Sequence, residues 1–306
     1  MSTATPVGIS VKDIVVATDF SVTSSCALRD ALGIARRYGA TVYLLHVLDP
    51  VLYATKPFDG LSDAMDSAFR KGERIKADIR RGGEFSDNEI KVLVYVGGVW
   101  QTILDVAQEK HGDLIVLGTT GRTGFRKLIL GSVAEKIFRE STYPVLTVGP
   151  NRIESKCHGT EPRRLLVPTD LSEYSIDALL YAVSLASRSG ARIALVHVIE
   201  PGSEGPDSEE QKLRSAESRL RELARSHQGI CAPPDIAVKV GQPAENIVEF
   251  AEQTEADLIL MGLRSAPHVK AAWQTAYDVV CRAACPVLTV RNQFSLPAKT
   301  ITEQTN

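Results

Sequence analysis

The chain contains an internal repeat, because four short segments occur twice in the same order. The matched segments are 13–21 with 164–172, 44–50 with 195–201, 113–118 with 257–262, and 144–148 with 286–290. Chance similarity between apolar strands would not also reproduce the patterns Thr-Asp-x-Ser and His-Val-x-x-Pro in both halves. The sequence therefore predicts a tandem duplication with domains at 1–150 and 151–306. A polar joint lies between Pro150 and Arg163.

Composition limits the kind of protein this can be. The chain has 306 residues, 44% hydrophobic and 24% charged, with a formal net charge of -2. These values indicate two soluble domains without a basic field, so we expect neither nucleic acid nor a membrane as partner. We find no apolar run of membrane-spanning length and no signal-peptide pattern. The five cysteines include no CxxC pair, so we expect reduced thiols and a cytoplasmic protein.

Strands and helices alternate within each repeat. In the first repeat, Ser21 can cap a helix that ends near Tyr38, where Gly39 stops it. Strands are expected at 14–17, 41–48, 90–96, 113–117 and 145–148, and further helices at 62–80, 102–110 and 133–139. Nearly continuous apolar strands separated by helices favour a parallel sheet covered on both faces. We therefore expect an α/β fold of two tandem, doubly wound, Rossmann-like domains.

A glycine-spaced loop follows the fourth strand of the first repeat. It reads Gly118-Thr-Thr-Gly121, then nine residues, then Gly131-Ser132, where a helix begins. Glycines let the backbone approach an anion, and a helix N-terminus offers unpaired N–H groups, so this loop suits phosphate. It is neither a Walker loop nor the dinucleotide fingerprint. Strand ends at 17–19 and 46–48 meet the same edge, so we expect a nucleotide.

The pattern Gly-x2-Gly-x9-Gly-Ser resembles the nucleotide-binding branch of the universal stress protein family. The opening Val-x-Thr-Asp-x-Ser, the His-Val of the second strand and the closing Pro-Val-Leu-Thr-Val carry the same resemblance, which covers both repeats nearly end to end. It implies a five-stranded, adenine nucleotide alpha hydrolase-like sheet that binds ATP, with Mg²⁺ or Mn²⁺ on the phosphates. The six histidines are scattered without metal-ligand spacing, so no residue of the chain is expected to be a metal ligand. The implied binding residues are Ala17, Thr18, Asp19 and Val47 for adenosine, and Gly118, Gly121, Gly131, Ser132 and Val133 for ribose and phosphates; Leu117 and Arg122 are expected in the same site.

The same resemblance implies how the two domains assemble. Members of the family pair their domains through the last strand, so segments 145–148 and 287–290 are expected to pair within this chain as a pseudo-dimer. A further homodimer of whole chains stays open.

The second repeat lacks the key residues of the loop. Aligned as a loop of equal length, it has Ser265 for Gly121, Thr275 for Gly131 and Ala276 for Ser132, whereas Asp170, Val198 and Gly262 are kept. Segment 275–278 still reads as a capping box, as 132–135 does in the first repeat. We expect the second domain to keep the fold and to bind nucleotide much more weakly.

Purely structural roles compete with several of these assignments. Asp19 suits bracing of the first helix as well as recognition of a base, because Asp170 persists where the loop is impaired. Ser132 fits a helix N-cap alone. His46 and His197 lie in apolar strands, where most histidines belong to the core.

Two further groups carry the same ambiguity. The cations Arg122, Arg126 and Lys127 suit either phosphate or a solvated loop. Cys281 and Cys285 share a helix face, and two buried thiols explain them better than a redox pair.

These features favour binding over turnover. We expect a nucleotide-dependent stress-response or signalling module, which at most hydrolyses ATP slowly. The alternative is a weak ATPase or an adenine-nucleotide-dependent transferase, but no Walker lysine, general base or acceptor pocket stands out. A purely structural dimerisation module is a third option, against which the intact loop of the first repeat argues.

Overall fold

The computed structural model describes residues 10–54, 60–86, 89–119, 130–149, 151–152, 162–202, 208–226, 233–263 and 270–291. Strands and helices alternate along each repeat within these ranges. The first repeat contributes β1 (Asp13–Ala17), α1 (Val22–Tyr38), β2 (Thr41–Leu48), α2 (Gly60–Arg81), β3 (Ile90–Val96), α3 (Val99–Glu109), β4 (Leu114–Gly118), α4 (Ser132–Glu140) and β5 (Val145–Val148). The second contributes β6 (Arg164–Pro168), α5 (Glu173–Ser189), β7 (Arg192–Ile199), α6 (Glu209–Ser226), β8 (Asp235–Val240), α7 (Pro243–Gln253), β9 (Leu258–Leu263), α8 (Lys270–Arg282) and β10 (Val287–Arg291).

The first helix begins and ends at the residues that the sequence predicts. The Ser21 side chain accepts a hydrogen bond from the Ser24 N–H at 3.2 Å, which satisfies one unpaired donor of the first turn. Gly39 adopts a left-handed conformation with φ of 64°, and its N–H returns to the Ala35 carbonyl. One short 3-10 turn, Pro50–Tyr53, was not predicted.

The two repeats share one ten-stranded sheet of order β3-β2-β1-β4-β5-β10-β9-β6-β7-β8. Strands within each repeat are parallel, as predicted. The two repeats meet where β5 and β10 pair antiparallel, with Leu146 opposite Leu288. The predicted pairing of the last strands within one chain is confirmed, and the sheet is mixed because of this single antiparallel junction.

Two hydrophobic cores cover the opposite faces of this sheet, and each runs through both repeats. One contains α1 and α5 residues packed on Leu146 and Leu288. The other contains α4 and α8 residues, among them Phe138 and Val280, packed on Val145. Since burial of apolar surface is the main stabilising contribution, the two repeats stabilise each other across their junction.

The three described cysteines divide into two groups. Cys281 and Cys285 are free and buried, as predicted. Cys26 is disulfide-bonded, so the expectation of reduced thiols is wrong for this residue. Cys157 and Cys231 lie outside the described residues.

In the ranges given above, every helix is too short or too polar to cross a bilayer.

Candidate functional site

A cavity of about 270 Å³ opens at the carboxyl edge of β1, β2 and β4 in the first repeat. Parallel strands end together at this edge, and the N-terminal turns of α3 and α4 close its sides. The lining residues are Ala17, Thr18, Asp19, Ser24, Leu45, His46, Val47, Val99, Ile103, Leu117, Gly118, Thr119, Gly131, Ser132, Val133 and Ala134.

The structure brings together nine of the eleven residues implied by the resemblance. The remaining two, Gly121 and Arg122, lie outside the described residues, as do Arg126 and Lys127. Sequence reasoning missed the side of the cavity formed by Val99 and Ile103. The sequence does contain a signal for these residues. Helix α3 follows β3 directly, so its N-terminal end must lie at the same sheet edge as the other strand ends.

A hydrogen-bond network around Thr18 shapes the floor of the cavity. Its hydroxyl lies 3.1 Å from the Ser24 hydroxyl, and the Nδ1 atom of buried His46 lies 2.7 Å from the Thr18 carbonyl oxygen. The same contacts recur in the second repeat between Thr169 and Ser175 (2.7 Å) and between His197 and Thr169 (2.7 Å). Because the second repeat keeps this network without the glycine loop, the network belongs to the fold.

Asp19 braces the turn that leads into α1. One carboxylate oxygen accepts a hydrogen bond from the Ser21 N–H at 3.0 Å. Partial burial would raise the pKa of Asp19, but hydrogen bonds from Ser21 and Ser24 outweigh it, and the pKa is lowered. Asp170 makes the equivalent contact with Ser172, and its pKa is lowered for the same reasons. The bracing role is therefore common to both repeats.

Gly118 lets a strand and a helix pack closely. A Cβ atom on Gly118 would lie 3.1 Å from the backbone nitrogen of Ser24, at the start of α1. At Gly262 in the second repeat, a Cβ would lie only 1.9 Å from the Tyr174 carbonyl oxygen. This close approach explains why the second repeat keeps Gly262 although its loop has lost the other glycines.

The N-terminus of α4 forms the wall opposite the strand ends. Gly131 is the N-cap, and Ser132 is the first helical residue, so the predicted capping box at 132–135 is wrong by one position. The Gly131 N–H donates to the Thr119 carbonyl at 2.7 Å, which holds the cap against the end of β4. The first N–H groups of α4 have no acceptor within the helix, so this end attracts an anion.

The second repeat differs at this point in helix length. Helix α8 has 13 residues against 9 in α4, yet both end at the same spacing before Pro286 and Pro144. Helix α8 therefore begins one turn earlier, and Thr275 lies inside it. The predicted capping box at 275–278 is wrong, because the alignment assumed loops of equal length.

Counting back from the two prolines shows which residues correspond. The counterpart of Gly131 is Trp273, and the counterpart of Ser132 is Gln274. An aromatic side chain within a helix thus replaces the glycine N-cap. The Trp273 ring packs against Phe138 of the first repeat, with ring centroids 6.0 Å apart. The helix start that faces the first cavity has no equivalent in α8 at this position.

Comparison with known proteins identifies the domain type. The model of the universal stress protein family matches residues 10–149 and again 161–291. Universal stress protein MJ0531 of Methanocaldococcus jannaschii is 33% identical over 138 residues, which cover 45% of this chain and 81% of its own length. A universal stress protein of Mycolicibacterium smegmatis is 26% identical over 264 residues, which cover 81% of this chain and 86% of that protein.

A solved structure shows the same fold over nearly the whole length. The universal stress protein from Archaeoglobus fulgidus superposes with a TM-score of 0.65 at 22% identity, covering 91% of this chain and 98% of that chain. The two family matches, the internal repeat and the shared sheet all indicate two domains of the same type. The chain belongs to the universal stress protein family and carries two copies of the family's domain in tandem.

Proposed function

We propose that the first repeat binds ATP in the cavity between its strand ends and the N-terminus of α4, as a nucleotide-dependent stress-response or signalling module of the cytoplasm. One observation carries this proposal: the strand ends Ala17–Asp19 and Val47 lie in the same cavity as Gly131 and Ser132. The apolar strand and α3 side chains suit a base, and the α4 N-terminus suits phosphates.

A metal would reach this site through the nucleotide. Within the described residues, no group of three or more histidine, cysteine, aspartate or glutamate side chains is placed to hold an ion. Mg²⁺ or Mn²⁺ would coordinate phosphate oxygens, which are hard ligands that these ions prefer.

The phosphate end is tested by placing a charge at the start of α4. In Ser132→Glu, the carboxylate favours the helix N-terminus but repels phosphates. We expect ATP affinity to fall at least about tenfold, while adenosine affinity stays within about threefold. Titration calorimetry measures both. Ser132→Ala controls for loss of the hydroxyl, and Gln274→Glu places the same charge at the matched position of α8. Equal ATP affinity in Ser132→Glu and the unaltered protein would refute the phosphate assignment.

The base end is tested by filling the cavity. Val47 lies at the end of β2 with 9% of its surface exposed, so Val47→Phe would occupy space assigned to the base. The matched control is Val198→Phe, at the same position in β7 of the second repeat. We expect loss of both ATP and adenosine binding in Val47→Phe and unchanged binding in Val198→Phe. Mass analysis of any ligand released when the purified protein is denatured identifies the nucleotide independently.

Turnover separates the binding module from the alternative enzyme. Asp19 is engaged with the Ser21 N–H, and the ring of His46 contacts the Thr18 carbonyl, so the structure supports structural roles for both. We expect phosphate release far slower than about 1 per second, the low end of ordinary enzyme rates. Steady release at or above that rate would favour the ATPase.

A further inference from the structure

The second repeat contacts the first beside the N-cap of α4, where the candidate phosphate site begins. The Leu130 N–H donates a hydrogen bond to the hydroxyl oxygen of Tyr277, on α8, at 3.3 Å. Leu130 is buried and directly precedes Gly131, the N-cap of α4. The first repeat holds Gly131 through Thr119, and the second holds Leu130 through Tyr277, so the residues that lead into α4 are fixed from both sides.

The other end of α4 is held by the second repeat as well. The guanidinium of Arg291, at the end of β10, donates to the Phe138 carbonyl in the last turns of α4. Trp273 packs against the Phe138 ring, and the Arg139 guanidinium lies 4.2 Å from the centre of the Trp273 ring. Contacts from α8 and β10 thus bracket the whole helix.

The chain segment that leaves the first repeat holds the end of α8 in return, because the Asn151 side chain donates to the Arg282 carbonyl at 2.9 Å, but the position that matches Tyr277 is occupied differently. Counting back from the paired prolines, Glu135 on α4 is the counterpart of Tyr277. Glu135 pairs with Arg139 of its own helix at 3.2 Å. Among the described residues, the phenol hydroxyl that accepts a backbone N–H across the junction therefore serves the repeat whose glycine loop is intact.

From this geometry we infer that Tyr277 of the second repeat is a positioning residue for the phosphate end of the nucleotide site in the first. The inference rests on the proposed function. Tyr277 does not touch the cavity; it fixes Leu130, and through it the cap and the first N–H groups of α4. The second repeat, without a glycine loop of its own, is thereby the scaffold of the first site.

The inference makes ligand binding and interdomain packing mutually dependent. By thermodynamic linkage, whatever the Tyr277 contact adds to nucleotide affinity, bound nucleotide adds to that contact. A partner or signal that alters the packing of α8 would consequently change the nucleotide affinity of the first repeat, and nucleotide would in turn change the surface around α8.

Tyr277→Phe in the full chain tests the contact, because it removes one hydroxyl and keeps the ring. A typical net hydrogen bond corresponds to a change in affinity of about threefold to tenfold. We expect ATP affinity to fall by that factor in titration calorimetry and adenosine affinity to stay within about twofold, because Leu130 leads into the phosphate end only. If Tyr277 served general stability only, the affinities for ATP and for adenosine would fall by the same factor.

Tyr38→Phe is the matched control. Tyr38 lies on α1 against the opposite face of the sheet. The centre of its ring lies 4.8 Å from the Arg188 guanidinium of the second repeat. Tyr38→Phe also removes one tyrosine hydroxyl at the interdomain junction, but at a place away from α4. Its ATP affinity is expected to match that of the unaltered protein.

Hydrogen exchange in the absence of ligand keeps this test separate from the proposed function. Tyr277→Phe should speed amide exchange at 130–134, and Tyr38→Phe should not. If the unaltered protein binds no adenine nucleotide, the proposed function fails, and unchanged exchange would additionally remove the positioning role. If the unaltered protein binds ATP and Tyr277→Phe binds it equally well, the inference is overturned.

Discussion

Asp30 of α1 and Arg152, just after β5, form an ion pair of 3.1 Å in which the side chains are only 9% and 12% exposed. The second Asp30 oxygen and the Arg152 Nε atom are buried without a hydrogen-bond partner among the described residues. Burial raises the pKa of Asp30, and the attraction of Arg152 opposes that rise without cancelling it. The pair joins the first helix to the chain segment that leaves the first repeat.

Removal of Arg152 should be costly because it leaves a buried carboxylate unpaired. We expect Arg152→Met to lower the free energy of unfolding by about 3–5 kcal/mol at pH 7, measured by urea titration. The raised pKa means that the folded state binds the proton more tightly, so the cost should shrink as pH falls through the folded-state pKa. Asp30→Asn in the same chain should recover part of the loss. The control Arg221→Met breaks an exposed pair with Glu217 and should cost at most about 1 kcal/mol. A loss that grows on acidification would contradict this account.

The two packing glycines should differ in their tolerance of alanine. A Cβ at Gly262 would lie 1.9 Å from a backbone oxygen, which cannot move aside as a side chain can. A Cβ at Gly118 would lie 3.1 Å from the nearest backbone nitrogen, so a small shift of the helix would accommodate it. We expect Gly262→Ala to lower the free energy of unfolding by about 3 kcal/mol or more and Gly118→Ala by about 1 kcal/mol. Thermal and urea unfolding measure both, and the reverse order would refute the packing explanation.

Two free thiols in the described part of the second repeat, Cys281 and Cys285, should be unreactive in the folded protein. Burial raises the pKa of Cys281 to about 11 and that of Cys285 to about 12, so both are thiols at pH 8. Only the thiolate is an effective nucleophile, so alkylation by iodoacetamide should be slow until the chain unfolds. Peptide mass mapping before and after unfolding in urea measures this. Rapid modification of either residue in the native protein would show that its burial is wrong.

The first repeat in isolation should self-associate. In the full chain, β5 is covered by β10, and all four residues of β5 are buried. A fragment of residues 1–150 would expose this strand as an unpaired edge with apolar faces, which favours pairing with a second copy. Sedimentation velocity over a range of concentrations should therefore show a dimer. A fragment that stays monomeric while folded, as judged by circular dichroism, would contradict the prediction.

The sequence by itself determined the repeat, the alternation of strands and helices within each domain and most of the cavity. These features depend on local patterns: β-branched runs form the strands, Ser21 caps α1, and Gly39 ends it. Placing Asp19, Val47 and Gly131 together required only the rule that parallel strands end at one edge.

Only the tertiary structure decided the start of α8, the role of Gly118 and the contact between Leu130 and Tyr277. Aligning Gly118 with Gly262 predicts a second loop of equal length, whereas aligning Pro144 with Pro286 gives the helix positions that the structure shows. The packing role of Gly118 depends on α1, far away in sequence, and the Tyr277 contact joins residues of different repeats. Local propensity carries no information about such long-range approaches, since they arise when two separately specified surfaces are packed against one sheet.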